Sequence, residues 1–406
     1  MPRLPEILVY LDDYRSLGDG KYDSIFLDFR SERDYRSYLA ATNVRETEGT
    51  LLRVDNYSSP KRLFRGAYYA LNTDLLKQIE AHEAESSYLI ARSYDLSLYR
   101  ERIDEQNQLL LPHKPFTIED YPTVQYSDIV FEPYIAQNVP LELRVNNVSQ
   151  GNWNEIRQGQ RTLVVYDIGA LVSASQAEVT HYINSFADNY AKDKPYLVIS
   201  HWDKDHIHCL CGLTDKQLDS FRGVICNGDR KSAMSKRIYK RLQNVLGHHR
   251  IACWANPSRI PHTPYAAMHN KTTLGPFSIY IAEKSRSINY SGIVMFVSGQ
   301  RNNALLTGDC LPCQANDVLH SEVHTRGITT GHFLVVPHHG ADFKGNRTYK
   351  TYSIPQQMPA NEYILSVDEH NNTYGHPVAA MLSWWQSLAP WNEQRTDIQG
   401  TIVRML

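Results

Sequence analysis

The feature that most constrains the fold of this chain is a series of short apolar runs, most of which end in aspartate or histidine. The runs occupy residues 163–166, 196–200, 293–297, 304–306, 333–336 and 363–367. Runs of this length between polar loops are typical of buried strands. Helical periods alternate with them at 176–190 and 378–388. The pattern predicts a layered α/β fold with functional side chains in the loops at one sheet edge.

Length and composition favour two domains. The chain has 406 residues, and its 42% hydrophobic and 21% charged content is close to that of soluble globular proteins. Residues 1–140 are rich in tyrosine and charge, with a predicted strand at 22–29 and a predicted helix at 72–83. We therefore predict an N-terminal α+β accessory domain over 1–140 and a larger α/β domain over 141–406.

Charge and cysteine usage exclude several classes of protein. The formal net charge of -2 excludes a globally basic nucleic-acid coat but leaves room for a local basic groove. The N-terminal residues do not resemble an export signal, and no run approaches the roughly 20 apolar residues of a membrane span. The six cysteines all lie between residues 209 and 313, unlike a secreted disulfide framework. We predict a cytoplasmic protein with no membrane association.

Metal-ligating residue types concentrate where predicted strands end. The segment after the 196–200 run reads His201-Trp202-Asp203-Lys204-Asp205-His206, so four potential ligands fall within six residues. Three other strand ends add candidates, in the segments Asp167-Ile168-Gly169, Thr307-Gly308-Asp309 and Pro337-His338-His339-Gly340. Imidazole and carboxylate groups are the usual ligands of divalent transition metals. Their coincidence predicts a metal centre, against the alternative of polar loops with hydrogen-bonded histidines.

The order of these segments resembles the metallo-β-lactamase fold hydrolase superfamily, and more closely the branch represented by the hydrolase domain of the competence protein ComEC. Three further segments carry the resemblance to that branch: 148–152 is similar to its V-G-Q-G-D opening, 289–291 to its N-x-S segment and 372–377 to its N-x-Y-G-H-P ending. The similarity spans about 250 residues and does not reach residues 1–140. It implies a four-layered αββα sandwich.

The resemblance also implies a role for each site residue around two divalent metal ions. His201 and Asp203 would bind one cation, Asp205, His206 and His339 the other, and Asp309 would bridge the two. His339 is preferred to His338 because it directly precedes Gly340. The residues expected to support the ligands without binding metal are Asp167, Asn289, Ser291 and His338. Asp205 and His376 are the expected catalytic residues, the first orienting water and the second donating a proton or holding a phosphate oxygen.

Two departures from the superfamily pattern bear on the metal. Asp203 stands where a histidine is usual, and the Asn289 and Ser291 segment replaces another histidine. Oxygen ligands shift preference away from Zn²⁺, so Mn²⁺ is favoured, with Zn²⁺ or Mg²⁺ as alternatives. His262 or His269 could supply a missing ligand, although ordinary hydrogen-bonded histidines are the favoured interpretation.

Hydrolysis is the reaction expected of such a centre. The leading hypothesis is a phosphodiesterase, most simply a nuclease acting on DNA, with Lys344, Arg347 and Tyr374 contacting the substrate. A basic helix over 231–250 could also follow a phosphate backbone or could be an ordinary solvated helix. Two alternatives stay open. One is hydrolysis of a lactam, lactone or thioester; the other is a binding or regulatory module with a vestigial metal site and a protein partner for residues 1–140.

Overall fold

The structure is a computed structural model that divides into two compact units. It describes residues 6–47, 49–59, 61–64, 66–79, 81–82, 87–96, 109–112, 131–259, 265–285, 287–341, 358–368, 376–387 and 392–406. The first unit comprises Met1–Pro122, Ser173–Glu178 and Arg230–Arg241, and the second comprises Thr123–Val172, Val179–Asp229 and Leu242–Leu406. The predicted domain boundary between residues 140 and 141 stays a prediction.

The first unit contains one seven-stranded sheet in the order β5-β6-β3-β2-β1-β4-β7. Its strands are β1 Leu8–Gly18, β2 Lys21–Phe29, β3 Leu51–Ser58, β4 Tyr68–Leu71, β5 Ala81–His82, β6 Ile90–Asp95 and β7 Leu110–Pro112. Among the described helices, α1 Glu32–Thr42 and α2 Thr73–Leu76 lie wholly within this unit. All strand pairs are antiparallel except β3 with β6. The strand predicted at 22–29 is confirmed.

The helix predicted at 72–83 is wrong beyond its first turn. Asn72 caps α2 by accepting a hydrogen bond from the backbone N–H of Leu75, and the helix ends at Leu76. Residues 81–82 instead form β5 and pair with β6. Leu75, Leu76 and Ile79 are buried in the core of this unit. The apolar spacing that suggests a long helix is therefore satisfied by one turn, and sheet pairing overrides helix propensity after it.

The second unit contains two seven-stranded sheets. In one, the strand order is β13-β12-β11-β10-β9-β8-β21. Its strands are β8 Leu141–Val145, β9 Asn154–Gln158, β10 Arg161–Tyr166, β11 Tyr196–Val198, β12 Gly223–Asn227, β13 Ile251–Trp254 and β21 Ile402–Met405. The other sheet has the order β14-β15-β16-β17-β18-β19-β20. It is built from β14 Met268–Leu274, β15 Phe277–Ala282, β16 Ile293–Ser298, β17 Asn303–Leu306, β18 His332–Val335, β19 Ala360–Leu365 and β20 Glu393–Arg395.

Helices connect these strands along the chain. They are α3 Gln176–Phe186, α4 Tyr190–Asp193, α5 Lys204–Gly212, α6 Asp215–Asp219, α7 Ala233–Leu246, α8 Pro312–Arg326, α9 Ala379–Gln386 and α10 Thr396–Gln399. The predicted helices at 176–190 and 378–388 are present, each shorter than expected. In the part of the chain that the structure describes, no helix is both long enough and apolar enough to cross a membrane.

Both sheets of the second unit contribute side chains to one apolar core. Leu143 and Val164 from one sheet share a buried cluster with Ile279 and Met295 from the other. A separate cluster joins the β14 to β20 sheet with side chains of α8 and α9, including Trp385. Burial of this kind supplies about 25 cal/mol for each Å² of apolar surface removed from water. The predicted α/β class is confirmed, whereas the complete four-layered order stays a prediction.

Each sheet of the second unit has an antiparallel half and a parallel half, and the parallel half determines where the loops with candidate ligands lie. In one sheet, β10 to β13 are parallel; in the other, β17 to β20 are parallel. The carboxyl ends of neighbouring parallel strands meet at one sheet edge. The loops after β10, β11, β17 and β18 carry the four ligand-bearing segments identified in the sequence.

Candidate metal centre

The loop between β11 and α5 presents four of the candidate ligands. Strand β11 ends at Val198, and Asp203 is the N-cap residue of α5. His201 and Asp203 therefore precede the helix, whereas Asp205 and His206 belong to its first turn. His201 and His206 are fully buried, and Asp205 is 8% exposed. A tight loop followed at once by a helical turn brings these side chains to one place, as the H-x-D-x-D-H spacing predicts.

Asp309 reaches the same place from the end of β17. The loop is held because the Thr307 hydroxyl donates to the Val335 carbonyl at 2.6 Å. Gly308 has a φ of 53°, and a Cβ there would lie 2.8 Å from the Ser200 hydroxyl oxygen. Both the left-handed backbone and the close approach require glycine at this position. Asp309 itself is 3% exposed.

The two neighbouring histidines lie in a 3₁₀ turn, Pro337–Gly340, after β18. His338 and His339 have φ values of 52° and 53°, a left-handed conformation that costs about 1 kcal/mol for each non-glycine residue. Backbone hydrogen bonds hold the turn, from His338 N–H to the Gly308 carbonyl at 3.0 Å and from Ala341 N–H to the His338 carbonyl at 2.8 Å. The strained turn presents both imidazoles to Asp309.

Asp309 lies between two sets of side chains, one facing each carboxylate oxygen. Its Oδ1 is 3.0 Å from His206 Nε2 and 4.0 Å from His339 Nε2. Its Oδ2 is 3.3 Å from His338 Nε2 and 3.7 Å from His201 Nε2. Two overlapping triads among the described residues could hold a metal ion, His201, His206 and Asp309 or Asp205, His206 and His339; they share His206, whose Nε2 can serve only one of them at a time.

The two aspartates of the loop each add a carboxylate to a different part of the cluster. Asp203 Oδ2 is 3.5 Å from His201 Nε2, whereas Asp205 Oδ2 is 3.5 Å from His339 Nε2. Neighbouring ligands of an octahedral or tetrahedral cation with bonds near 2.1 Å lie about 3.0 to 3.4 Å apart. The separations in this cluster are at or slightly above that range.

Hydrogen bonds to the far side of each imidazole determine its tautomer. His339 Nδ1 lies 2.7 Å from the Ser366 carbonyl and His206 Nδ1 lies 2.8 Å from Asp167 Oδ2, so both Nδ1 atoms donate. The Ser200 hydroxyl donates to Asp167 Oδ2 at 2.7 Å, which leaves it to accept from His201 Nδ1 at 2.9 Å. All three rings therefore turn Nε2 toward the cluster, and this nitrogen can bind a metal once it has lost its proton.

The donor set fits divalent metal. Among the described residues, four buried atoms at the centre make no hydrogen bond of good geometry: Nε2 of His201, His206 and His339, and Oδ1 of Asp309, although His206 Nε2 and Asp309 Oδ1 lie 3.0 Å apart. Buried polar atoms are almost always satisfied, so these atoms indicate a missing partner. Four formal negative charges surround them, on Asp167, Asp203, Asp205 and Asp309. Bound divalent metal would offset this charge.

The electrostatics of the cluster favour positive charge. Burial lowers the pKa of His206, but the carboxylates of Asp309, Asp205 and Asp167 outweigh burial and raise it well above the usual value. Burial opposes ionisation of Asp309, yet the imidazoles of His338, His206 and His201 hold the pKa of this carboxyl well below its usual range. The Asp309 carboxylate thus stays ionised in a buried setting, which favours binding of a cation.

The remaining predicted site residues have different positions. Asn289 Nδ2 donates to Asp309 Oδ2 at 3.1 Å, so this amide touches the cluster. Ser291 instead donates from its hydroxyl to Asp229 Oδ2 at 2.7 Å. His376 is 7% exposed, and its ring centroid is 5.3 Å from that of His338. The predicted substrate contacts Lys344, Arg347 and Tyr374 lie outside the described residues, as does His262.

Other candidates have ordinary structural partners. His269 Nε2 lies 3.1 Å from Glu283 Oε1, and His208 Nδ1 lies 2.8 Å from the Leu171 carbonyl. The basic helix α7 uses at least two of its cations in packing. Arg237 pairs with Glu32 at 2.8 Å, and Lys236 donates to the Arg30 carbonyl at 2.8 Å. These two side chains fit the solvated-helix interpretation better than phosphate binding.

Three residues that shape the centre have no individual role in the sequence interpretation. They are Ser200, which links His201 to Asp167; Ser366, whose carbonyl orients His339; and Asn152, which donates to Asp167 at 2.8 Å. Ser200 directly precedes the ligand loop, and Asn152 ends the 148–152 segment, so position relative to the motifs is the only signal that could have found them. Ser366 contacts His339 through its backbone carbonyl, which every residue type has, so the sequence gives no signal for this contact.

Two of the solved structures that resemble this chain show only a weak likeness to it. No protein-family profile and no curated protein matches the chain. CmlA, a diiron β-hydroxylase from Streptomyces venezuelae, superposes with a TM-score of 0.35 at 10% identity, covering 67% of this chain. The chain covers 55% of CmlA, about half its length. A protein proposed to be a metal-dependent hydrolase, from Parabacteroides distasonis, gives a TM-score of 0.28 at 12% identity, with 63% of this chain and 94% of that protein covered. These scores assign no family to the chain.

Proposed function

We propose that this chain is a metal-dependent hydrolase that cleaves phosphodiesters, with DNA as the favoured substrate and two Mn²⁺ ions as the favoured cofactors. The observation that carries the proposal is the position of Asp309, whose two oxygens face two different ligand sets. A carboxylate placed in this way is suited to bridge two cations. When bound, such a pair supplies an activated water and neutralises charge that develops on an attacked ester.

The ligands divide around Asp309. His201 and Asp203 would hold one cation together with Asp309 Oδ2, which lies 3.7 Å from His201 Nε2. Asp205, His206 and His339 would hold the other with Asp309 Oδ1. With three carboxylates beside three imidazoles, the set is richer in oxygen than an all-histidine site. Hard oxygen ligands favour Mn²⁺ or Mg²⁺ over Zn²⁺.

Side chains of this chain would also handle the proton and the substrate. Asp205 has one oxygen 3.5 Å from His339 Nε2 and its other oxygen 3.9 Å from His206 Nε2, so it is placed to orient a water. His376 would donate a proton to the leaving oxygen, and its ring lies beside that of His338. Asn289 presents an amide N–H at the Asp309 carboxylate and would steady it. Lys344, Arg347 and Tyr374 are proposed to contact the phosphate backbone.

A substrate comparison tests the reaction class. Purified protein with Mn²⁺ should hydrolyse bis-p-nitrophenyl phosphate and DNA, and it should leave the lactam nitrocefin intact. The variants Asp205→Ala and His206→Ala should each lose at least 100-fold in turnover with the fold retained, since both side chains serve the centre. Nitrocefin hydrolysis without phosphodiesterase activity would show that the site acts on carboxyl substrates instead of phosphodiesters. Unchanged turnover in both variants would remove the site from catalysis altogether.

A further inference from the structure

Asp167, in the loop after β10, is hydrogen-bonded to the segment after β11 that carries Ser200 and His206. Its Oδ2 accepts three hydrogen bonds, from His206 Nδ1 at 2.8 Å, the Ser200 hydroxyl at 2.7 Å and Asn152 Nδ2 at 2.8 Å. Its Oδ1 accepts from the Ser200 backbone N–H at 2.6 Å. The carboxylate is fully buried, so its orientation is fixed by these donors. Whatever holds Asp167 also holds the imidazole of His206.

Asn152 is itself fixed in a single orientation. Its backbone N–H donates to the Asp205 carbonyl at 3.0 Å, and its own carbonyl accepts from Gly169 N–H at 2.9 Å. Its side-chain Oδ1 accepts from Asn154 Nδ2 at 2.6 Å. The carbonyl end of the amide is therefore turned toward Asn154, and the N–H end must face Asp167. Asn152 and Asn154 are 3% and 0% exposed, so water does not compete for these bonds.

We infer that the chain Asn154, Asn152, Asp167 is a positioning device that sets the orientation and tautomer of His206, and through them the affinity of the centre for its cations. The inference rests on the proposed metal centre, but none of its hydrogen bonds involves a cation. The Asn152 amide donates to Asp167 and accepts from Asn154 at the same time, which neither alanine nor an ionised aspartate could do. Groups that orient a metal-binding imidazole from outside typically contribute 10-fold to 100-fold to metal affinity.

The test is a measurement of Mn²⁺ affinity by competition with a chelator, on the full chain. The variants Asn152→Ala and Asn152→Asp should each weaken binding about 10-fold to 100-fold. The second variant keeps the size of the side chain while it removes the donor and places a like charge against Asp167. Asn154→Ala should weaken binding less, because it removes only the outer support of Asn152. Loss in any variant should be accompanied, in the metal-free protein, by a changed NMR chemical shift of the His206 Nδ1 proton, which reports the hydrogen bond to Asp167.

A matched control separates positioning from stability. Asn303 is also a fully buried asparagine, and its amide donates to the Thr330 and Gly331 carbonyls, away from His206. Asn303→Ala should lower stability without changing Mn²⁺ affinity. In an Asp167→Ala background, Asn152→Ala should have no additional effect on affinity, because the connection to His206 is already lost.

Failure of this inference can be told apart from failure of the proposed function. Wild-type affinity and an unchanged Nδ1 proton shift of His206 in Asn152→Ala and Asn152→Asp would overturn the positioning role while leaving the centre in place. An additive loss in the Asp167→Ala background would show that Asn152 acts by another route and would also overturn it. A wild-type protein that binds no Mn²⁺ would overturn the centre itself.

Discussion

Replacing Gly169 by alanine should separate the two loops that build the metal centre. A Cβ at this position would lie 1.7 Å from the Asp205 carbonyl oxygen, 2.6 Å from its carbon and 2.9 Å from the His206 Cα. These atoms belong to the backbone and cannot rotate away. Even a tight contact of 3.0 Å requires a movement of more than about 1.3 Å. A displacement of about 1 Å at a catalytic constellation typically costs about 100-fold in rate.

We therefore expect Gly169→Ala to lose at least about 100-fold in turnover of bis-p-nitrophenyl phosphate and a similar factor in Mn²⁺ affinity. Gly228→Ala is the matched control, because its Cβ would meet only the Trp254 carbonyl oxygen at 3.6 Å, an ordinary contact. Circular dichroism and thermal unfolding would establish that both variants fold. Wild-type affinity and turnover in folded Gly169→Ala would refute the claim that close packing of these loops sets the ligand geometry.

Two further predictions concern stability. Burial lowers the pKa of His332 from 6.5 to about 4, so the unfolded chain binds this proton at a higher pH than the folded chain does. The unfolding free energy of the wild type should therefore fall by about 1.4 kcal/mol for each pH unit between those two values. Urea titrations over this pH range should show a smaller fall in His332→Gln. Arg237 pairs with Glu32 and lies over the Tyr35 ring at 4.9 Å. Arg237→Ala should cost about 1 kcal/mol in unfolding free energy, and a reduced salt slope of DNA cleavage in this variant would contradict its assignment to packing.

Local patterns in the sequence predict the parts of the structure that depend on short segments. The runs at 163–166, 293–297 and 304–306 are strands because each is apolar throughout and ends at a polar loop. The convergence of His201, His206, Asp309 and His339 also follows, since each side chain lies in the loop or first helical turn that follows a parallel strand.

Features that depend on backbone geometry or on partners distant in the sequence could not be predicted. His338 and His339 adopt left-handed backbone conformations that residue type alone argues against. Ser291 reaches Asp229, 62 residues away, instead of the ligands. The helix expected at 72–83 is cut short by pairing with β6, a tertiary contact absent from the local pattern. In each case a tertiary contact outweighs the expectation from the local sequence.

The most direct test of the account is anomalous X-ray diffraction from crystals grown with Mn²⁺. The account predicts two manganese peaks on opposite sides of the Asp309 carboxylate, one bonded to His201 and Asp203 and the other to Asp205, His206 and His339. Metal to ligand distances should be near 2.1 Å to 2.3 Å, as for other small divalent cations. A map with no anomalous peak at these side chains, at full Mn²⁺ loading of the crystal, would contradict the central claim.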